Sequence, residues 1–349
     1  MKDIDTEKFL NELKVKVDEQ IFAFLSEKKK EFKGIKESLD LINEIERFLK
    51  IGGKRLRPTF VYVGYLSSGG KKNTDIFKIS ASVEFIHTFA LIHDDIMDQS
   101  LLRRGQPTTY HLFSKKYGEH FGISAAILAG DLAKSFADDI LSKSRFPKTR
   151  IVDAMQYLSL LKEEVEIGQY LDIFPRSKKI YTEKEVLEIA KYKAGKYTVE
   201  RPLHLGAALA GAEKEVFEAL SDYGIPLGIA FQIQDDILGT FGEEEVMGKV
   251  ADLDIKEGKK TLLSVKAWEW ANNSQRKILA EVLGDRGASL EKIEMVREIF
   301  KATGSYDFAK DKAADLIFQA KKALEKAPVT REGKEYLSAA ADFLLERKY

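Results

Sequence analysis

The chain has 349 residues, 44% hydrophobic and 32% charged, and its 56 Lys and Arg balance 56 Asp and Glu. A net charge of zero leaves no electrostatic footprint for nucleic acid, and the absence of cysteine excludes a disulfide framework, a thiolate nucleophile and a cysteine-based zinc site. No run of about 18 apolar residues reads as a membrane span. The segment MKDIDTEKFLNELKVKVDEQ also lacks the apolar stretch of a signal peptide, so a cytoplasmic protein without an integral membrane segment is expected.

In chain order, residues 6–30 form the first amphipathic helix, with Phe9, Leu13, Val17, Ile21 and Phe24 three or four apart. The motif GGKRLRP follows at residues 52–58. Its glycines allow close backbone approach, and Lys54, Arg55 and Arg57 suit a diphosphate, lysine as a point charge and arginine as a fork. Residues 75–98 read as a mostly buried helix that ends in HDDIMD, where Asp94 and Asp98 stack one turn apart. Residues 103–118, opening with Arg103 and Arg104, break the helical pattern.

A helix over 150–172 comes next, then a capping box at Thr182 and Glu185. The segment KYKAGKYTVE carries Lys193. An apolar helix over 217–238 ends in FQIQDDILG, with Asp235 and Asp236 at its close, and residues 243–260 form the second break, with Lys249 and Lys259. Ser289, Ser305 and Thr330 are expected N-caps, with Gly304 a stop signal. Runs of alternating β-branched residues are nearly absent, so the fold class is all-α, a single domain over 1–349 around one helical core.

The acidic clusters carry the chemistry. Like charges one turn apart repel, and the negative end of the helix dipole makes this worse, which points to a bound cation. Carboxylates without His or Cys partners favour Mg²⁺. One acidic pair alone reads equally well as a solvated helix end; two, each followed by a basic loop, do not.

Together GGKRLRP, HDDIMD with RRGQPT, and FQIQDDILG with EGKKTLL downstream resemble the trans-isoprenyl diphosphate synthases of the polyprenyl synthetase family, the archaeal-type geranylgeranyl diphosphate synthases in particular. The resemblance runs over residues 52–263. It implies the isoprenoid-synthase barrel of helices around a central cavity, and a homodimer. It implies three Mg²⁺ ions on Asp94, Asp98 and Asp235, with Asp95 and Asp236 in support and Arg103, Lys193 and Lys249 on the allylic diphosphate. Isopentenyl diphosphate is expected on Lys54, Arg55, His87 and Arg104, with Arg57 in reserve. Phe231 and Gln232 are expected along the allylic chain, and Lys259 matches the lysine of the downstream loop.

The implied reaction joins isopentenyl diphosphate head-to-tail to dimethylallyl, geranyl or farnesyl diphosphate through Mg²⁺-assisted ionisation. Phe89, five residues before Asp94 and so about 7.5 Å along the helix axis, is the expected floor limiting the product to geranylgeranyl diphosphate. Farnesyl or longer products are the alternatives. A metal-dependent phosphohydrolase built on His93–Asp94 and a noncatalytic helical scaffold are the rival readings. Three positions depart from the family pattern: glycine ends DDILG, where Glu243 is a substitute carboxylate; Ala194 stands where threonine is usual; and GKV replaces GKP.

Overall fold

The computed structural model describes residues 6–71, 73–174, 181–242 and 252–345. They form two compact units interleaved along the chain. The first is Met1–Lys162, Arg201–Leu220 and Pro328–Ala339, and the second is Glu163–Glu200, Ser221–Ala327 and Ala340–Tyr349. Among the described residues the only strands are two short ones, β1 (Leu102–Arg103) and β2 (Gln106–Pro107), so the all-α expectation holds.

The first unit contains α1 (Thr6–Glu31), α2 (Ser38–Lys50), α3 (Leu56–Ser67), α4 (Asp75–Met97), α5 (Thr109–Tyr117), α6 (Glu119–Ser142), the start of α7 (Lys148–Ile173), and α9 (Arg201–Ala210). Helix α1 buries Leu13, Val17, Ile21 and Phe24 of the stripe its periodicity predicts, with Phe9 half-buried. Phe24, Phe85 and Phe136, from α1, α4 and α6, meet edge-to-face with centroids 5.4, 5.4 and 6.0 Å apart. Removing each such ring from water contributes about 1.5–3 kcal/mol. Helix α4 is long and apolar enough to cross a membrane by composition, but 67% of that stretch is buried inside the protein, as befits a core helix. Its neighbour α3 crosses α9 at glycines: a methyl group on Gly64 would overlap the Leu203 carbonyl, and one on Gly206 the Val61 carbonyl.

The second unit contains α8 (Glu183–Ala190), a π-helix (Lys191–Glu200), most of α10 (Lys214–Phe241), α11 (Leu253–Lys256), α12 (Leu262–Trp270), α13 (Asn273–Val282), α14 (Leu290–Ala302) and α15 (Ser305–Glu325). Leu227, Ala230, Ile233, Leu263, Ile293, Val296 and Ile317 are buried in it. The Thr182–Glu185 capping box forms as expected, and Ser289 caps α14.

Two local expectations need correction. Ser305 is not an N-cap: Gly304, at φ 80°, takes that place, and the Ser305 hydroxyl donates to the Phe300 carbonyl at 3.0 Å instead. The break expected over 103–118 is a hairpin followed by a full helix, because extended Thr108 starts α5 and Gly118, at φ 91°, ends it.

Candidate active site

Helix α4 delivers the first acidic cluster. Its backbone runs to Asp98, whose N–H donates to the Asp94 carbonyl at 2.8 Å. The repulsion expected among these carboxylates is answered by the hairpin. Arg104 and Gly105, both at positive φ (51° and 73°), form its two-residue turn, and Arg103 pairs with Gln106 across it. That geometry turns the Arg103 guanidinium onto the acids: Nη2 lies 2.8 Å from Asp95 Oδ1 and 3.2 Å from Asp94 Oδ2, while Nε donates to Asp95 Oδ1 at 2.9 Å. Burial opposes the charge of Arg103, but Asp95, Asp94 and Asp98 outweigh it and keep the guanidinium charged. Asp95, 1% exposed, therefore works inward on Arg103, whereas Asp94 and Asp98 are only partly covered.

This donor set suits a hard cation. It is all oxygen, and among the described residues no three acidic or histidine side chains converge to hold a metal by themselves. Mg²⁺ is usually bound through one or two carboxylates, with phosphate oxygens and water completing the octahedron. Sparse carboxylates at a helix end fit that habit better than they would fit a zinc or calcium cage.

The basic motifs gather around His87. Its imidazole is pushed well below its usual pKa, first by burial and then by the cations of Arg57, Arg104, Arg103 and Arg55, so it is neutral at physiological pH. The Arg104 guanidinium donates to the Gly52 carbonyl and ties the hairpin to the GGKRLRP loop. Lys54, exposed, precedes Arg55 in that loop.

Arg55 departs from the expectation that it meets a diphosphate. It is 5% exposed, sits at φ 51° before α3, and spends its guanidinium on Asp18 (2.8 Å), Glu84 (2.8 Å) and the Leu49 carbonyl (2.9 Å). A buried guanidinium with three acceptors is a fold-holding group. Arg57, which the sequence reading placed behind it, is first among the cations acting on His87.

Phe89 is buried, with the Lys134 ammonium 4.5 Å from its ring centre and the His93 ring edge-on at 4.7 Å. His93 Nε2 reaches the Ile127 carbonyl at 3.1 Å, which makes it a packing residue between α4 and α6.

In the second unit, α10 carries Phe231, Gln232, Asp235 and Asp236. The Gln232 amide donates to Asp236 Oδ1 at 2.8 Å, so this amide serves the acidic pair directly. Burial, then the nearby Asp254 carboxylate, raise the Asp236 pKa well above the usual carboxylate range; the Gln232 hydrogen bond and Lys259 pull the other way. Asp254 escaped the sequence reading. It takes the Lys259 ammonium at 2.6 Å, and it fills the space left by glycine at the end of DDILG: a methyl group on Gly239 would overlap its carboxylate. The signal was present in the spacing of Asp254 and Lys259 within the flagged loop. Burial opposes the charge of Lys259 as well, yet Asp254 and Glu257 hold its pKa raised. Lys249 and Glu243 lie outside the described residues.

Lys193 stands on the π-helix, an arrangement rare in general and concentrated at functional sites. Its ammonium lies 2.6 Å from Asp172 Oδ2 at the end of α7. Ala194, beside it, is buried.

A family profile for polyprenyl synthetase matches residues 40–301. The chain is 37% identical over 300 residues to geranylgeranyl diphosphate synthase of Methanosarcina mazei, covering 85% of this chain and 87% of that one. It is 34% identical over 304 residues to geranylfarnesyl diphosphate synthase of Aeropyrum pernix, covering 86% and 92%. Its fold matches the crystal structure of Corynebacterium glutamicum geranylgeranyl pyrophosphate synthase complexed with isoprenyl diphosphate and magnesium, with a TM-score of 0.91 and 32% identity over 99% of this chain and 100% of that one.

Proposed function

The chain belongs to the polyprenyl synthetase family, and from that premise we propose that it is a single isoprenoid-synthase domain that condenses isopentenyl diphosphate head-to-tail with dimethylallyl, geranyl and farnesyl diphosphates, with geranylgeranyl diphosphate as its product. The observation that carries this reading is the hairpin arginine bonded to both Asp94 and Asp95, which joins the acidic and basic motifs into one diphosphate-handling device.

The enzyme is a divalent-metal-dependent prenyltransferase. Asp94, Asp98 and Asp235 would hold the ions, three in number, with Asp95 and Asp236 supporting them. The bound Mg²⁺ supplies neutralisation of the charge that builds on the departing diphosphate. Arg103, Lys193 and Lys249 bind that same diphosphate, the arginine as a planar fork and the lysines as point charges. Lys259, held by Asp254, adds positive charge beside the second acidic pair.

Isopentenyl diphosphate is held by Lys54, Arg57, Arg104 and neutral His87, which offers a hydrogen bond without a further positive charge. With its carbon–oxygen pair gone to the diphosphate, the allylic fragment is a delocalised cation. Phe231 is the group proposed to protect it, since an aromatic face stabilises positive charge and water would quench it. The isopentenyl double bond donates its electrons to that carbon, and the proton lost from the new chain goes to the released diphosphate. No covalent enzyme intermediate is needed.

Incubation of the protein with Mg²⁺, labelled isopentenyl diphosphate and each allylic starter tests the proposal. A dominant twenty-carbon product is expected, and no elongation from any starter by the folded protein would end this reading. In the same assay Phe89→Ala is expected to move the dominant product beyond twenty carbons, because a smaller side chain about 7.5 Å before Asp94 along the helix would remove the proposed floor. An unchanged product ladder would remove Phe89 from chain-length control.

The protein is proposed to be cytoplasmic and to act as a homodimer. The outward face of α5 and α6 carries Tyr117, Phe121, Ile127 and Leu128, 42–56% exposed, with the Tyr117 and Phe121 rings 4.8 Å apart. Phe121 and Leu128 are two turns apart on one face. Half-exposed side chains of this size leave on the order of 400 Å² of apolar surface, as large as the biggest patches monomers usually tolerate and about half of one side of a standard interface. Phe121→Asp with Leu128→Asp is therefore expected to convert the dimer to monomer in size-exclusion chromatography with light scattering. A dimer that persists would place the interface elsewhere.

A further inference from the structure

We infer that Asp172 and Gly168 are positioning residues that preset Lys193 for the allylic diphosphate, an inference that rests on the role given to Lys193 above. The two stand four residues apart on α7 and so share one face of the helix. They act on the same lysine in different ways. At Gly168 a Cβ would lie 2.9 Å from Tyr192 Cβ, 3.0 Å from Lys193 N and 3.1 Å from Lys193 Cγ, so glycine lets the backbone carrying Lys193 lie directly against α7. One turn further on, the Asp172 carboxylate takes the lysine ammonium at 2.6 Å.

The other side of the π-helix is gripped by α10. A Cβ on Gly228 would lie 2.5 Å from Gly195 Cα and 2.8 Å from the Ala194 carbonyl oxygen, and one on Gly195 would lie 3.1 Å from the Ile225 carbonyl oxygen. The wide π turn is thereby clamped between two helices at three glycines. A wide turn of this kind persists when its surroundings over-determine it. The end of α7 is fixed in turn, because the Lys260 ammonium donates to the Asp172 carbonyl and answers the negative end of the helix dipole.

The consequence is chemical. A lysine side chain is flexible, and ordering it at the moment of binding weakens a phosphate contact. Here the carboxylate orders it beforehand. An ammonium has three donors, so Lys193 can keep one on Asp172 and offer the others to phosphate oxygens. In this role Asp172 works through the lysine it bonds.

Steady-state kinetics of the full chain with farnesyl and isopentenyl diphosphates, each varied in turn, separates this role from a merely structural one. Asp172→Asn is expected to raise KM for farnesyl diphosphate about tenfold while KM for isopentenyl diphosphate stays within twofold. Asp172→Glu should recover most of that loss. Gly168→Ala should reproduce it with Asp172 intact, and it carries the test alone if Asp172→Asn does not fold. An unchanged or lowered KM for farnesyl diphosphate in both Asp172→Asn and Gly168→Ala, or an equal rise for both substrates, overturns the inference. Wild-type enzyme in the same assay distinguishes the two failures: if it elongates while the variants behave like it, only the positioning role is lost, and if it is inert, the prenyltransferase reading falls and takes this inference with it.

Discussion

Asp94→Ala is expected to lower the rate of elongation roughly a thousandfold while the protein stays folded. Losing one preorganised electrostatic contact to charge that develops in a transition state typically costs about 10²–10³ in rate, and Asp94 has two duties. It is a proposed Mg²⁺ ligand, and it is one of the two acids that aim Arg103, which Asp95 alone would then hold. The fold has little stake in this carboxylate, which is partly exposed at a helix end. Circular dichroism should therefore show an unchanged melting transition beside the lost activity. Elongation within tenfold of wild type would remove Asp94 from the catalytic set, and a collapsed melting transition would make it a folding residue.

Arg55→Ala is expected to destabilise the protein by about 3–5 kcal/mol, the usual cost of stranding one member of a buried ion pair. Glu84, 3% exposed, would lose its hydrogen-bonded arginine in the core, and Asp18 and the Leu49 carbonyl would each lose a donor. Arg57→Ala should do the reverse: a melting temperature close to wild type and a KM for isopentenyl diphosphate raised about tenfold, since a charge-assisted contact is worth about 1.5–3 kcal/mol. Thermal melts and substrate titrations of the two variants decide between these neighbours. If Arg55→Ala melts normally and loses isopentenyl diphosphate instead, the original assignment of the motif stands and the buried network is incidental.

The contrast within one motif marks where sequence reading stops. GGKRLRP announces three cations near glycines, and any of the three suits a diphosphate by chemistry alone. Which of them turns inward depends on what waits there. Asp18 and Glu84 come from helices 37 and 29 residues away, and no spacing rule links them to Arg55. The same limit hid Asp254. Its spacing to Lys259 was local, but the space it occupies beside Gly239 is a relation made by the chain folding back and not by periodicity.

What the chain determined by itself is considerable, because local physics carries it. The helices over 6–31, 75–97 and 148–173 follow from apolar residues three and four apart, and the Thr182 cap follows from a side chain that can bond only its own neighbours. The acidic clusters were legible because they oppose local electrostatics, and opposition of that kind calls for a partner. Only the tertiary structure decided who the partners are: Arg103 for Asp94 and Asp95, Asp172 for Lys193, and the arginines whose charge acts on His87. Asp172 and Lys193 stand 21 residues apart, and even the eight residues between Asp95 and Arg103 fit no helical contact spacing. The energy of such pairings depends on burial and on distance to within an ångström, and neither quantity is written in the order of the residues.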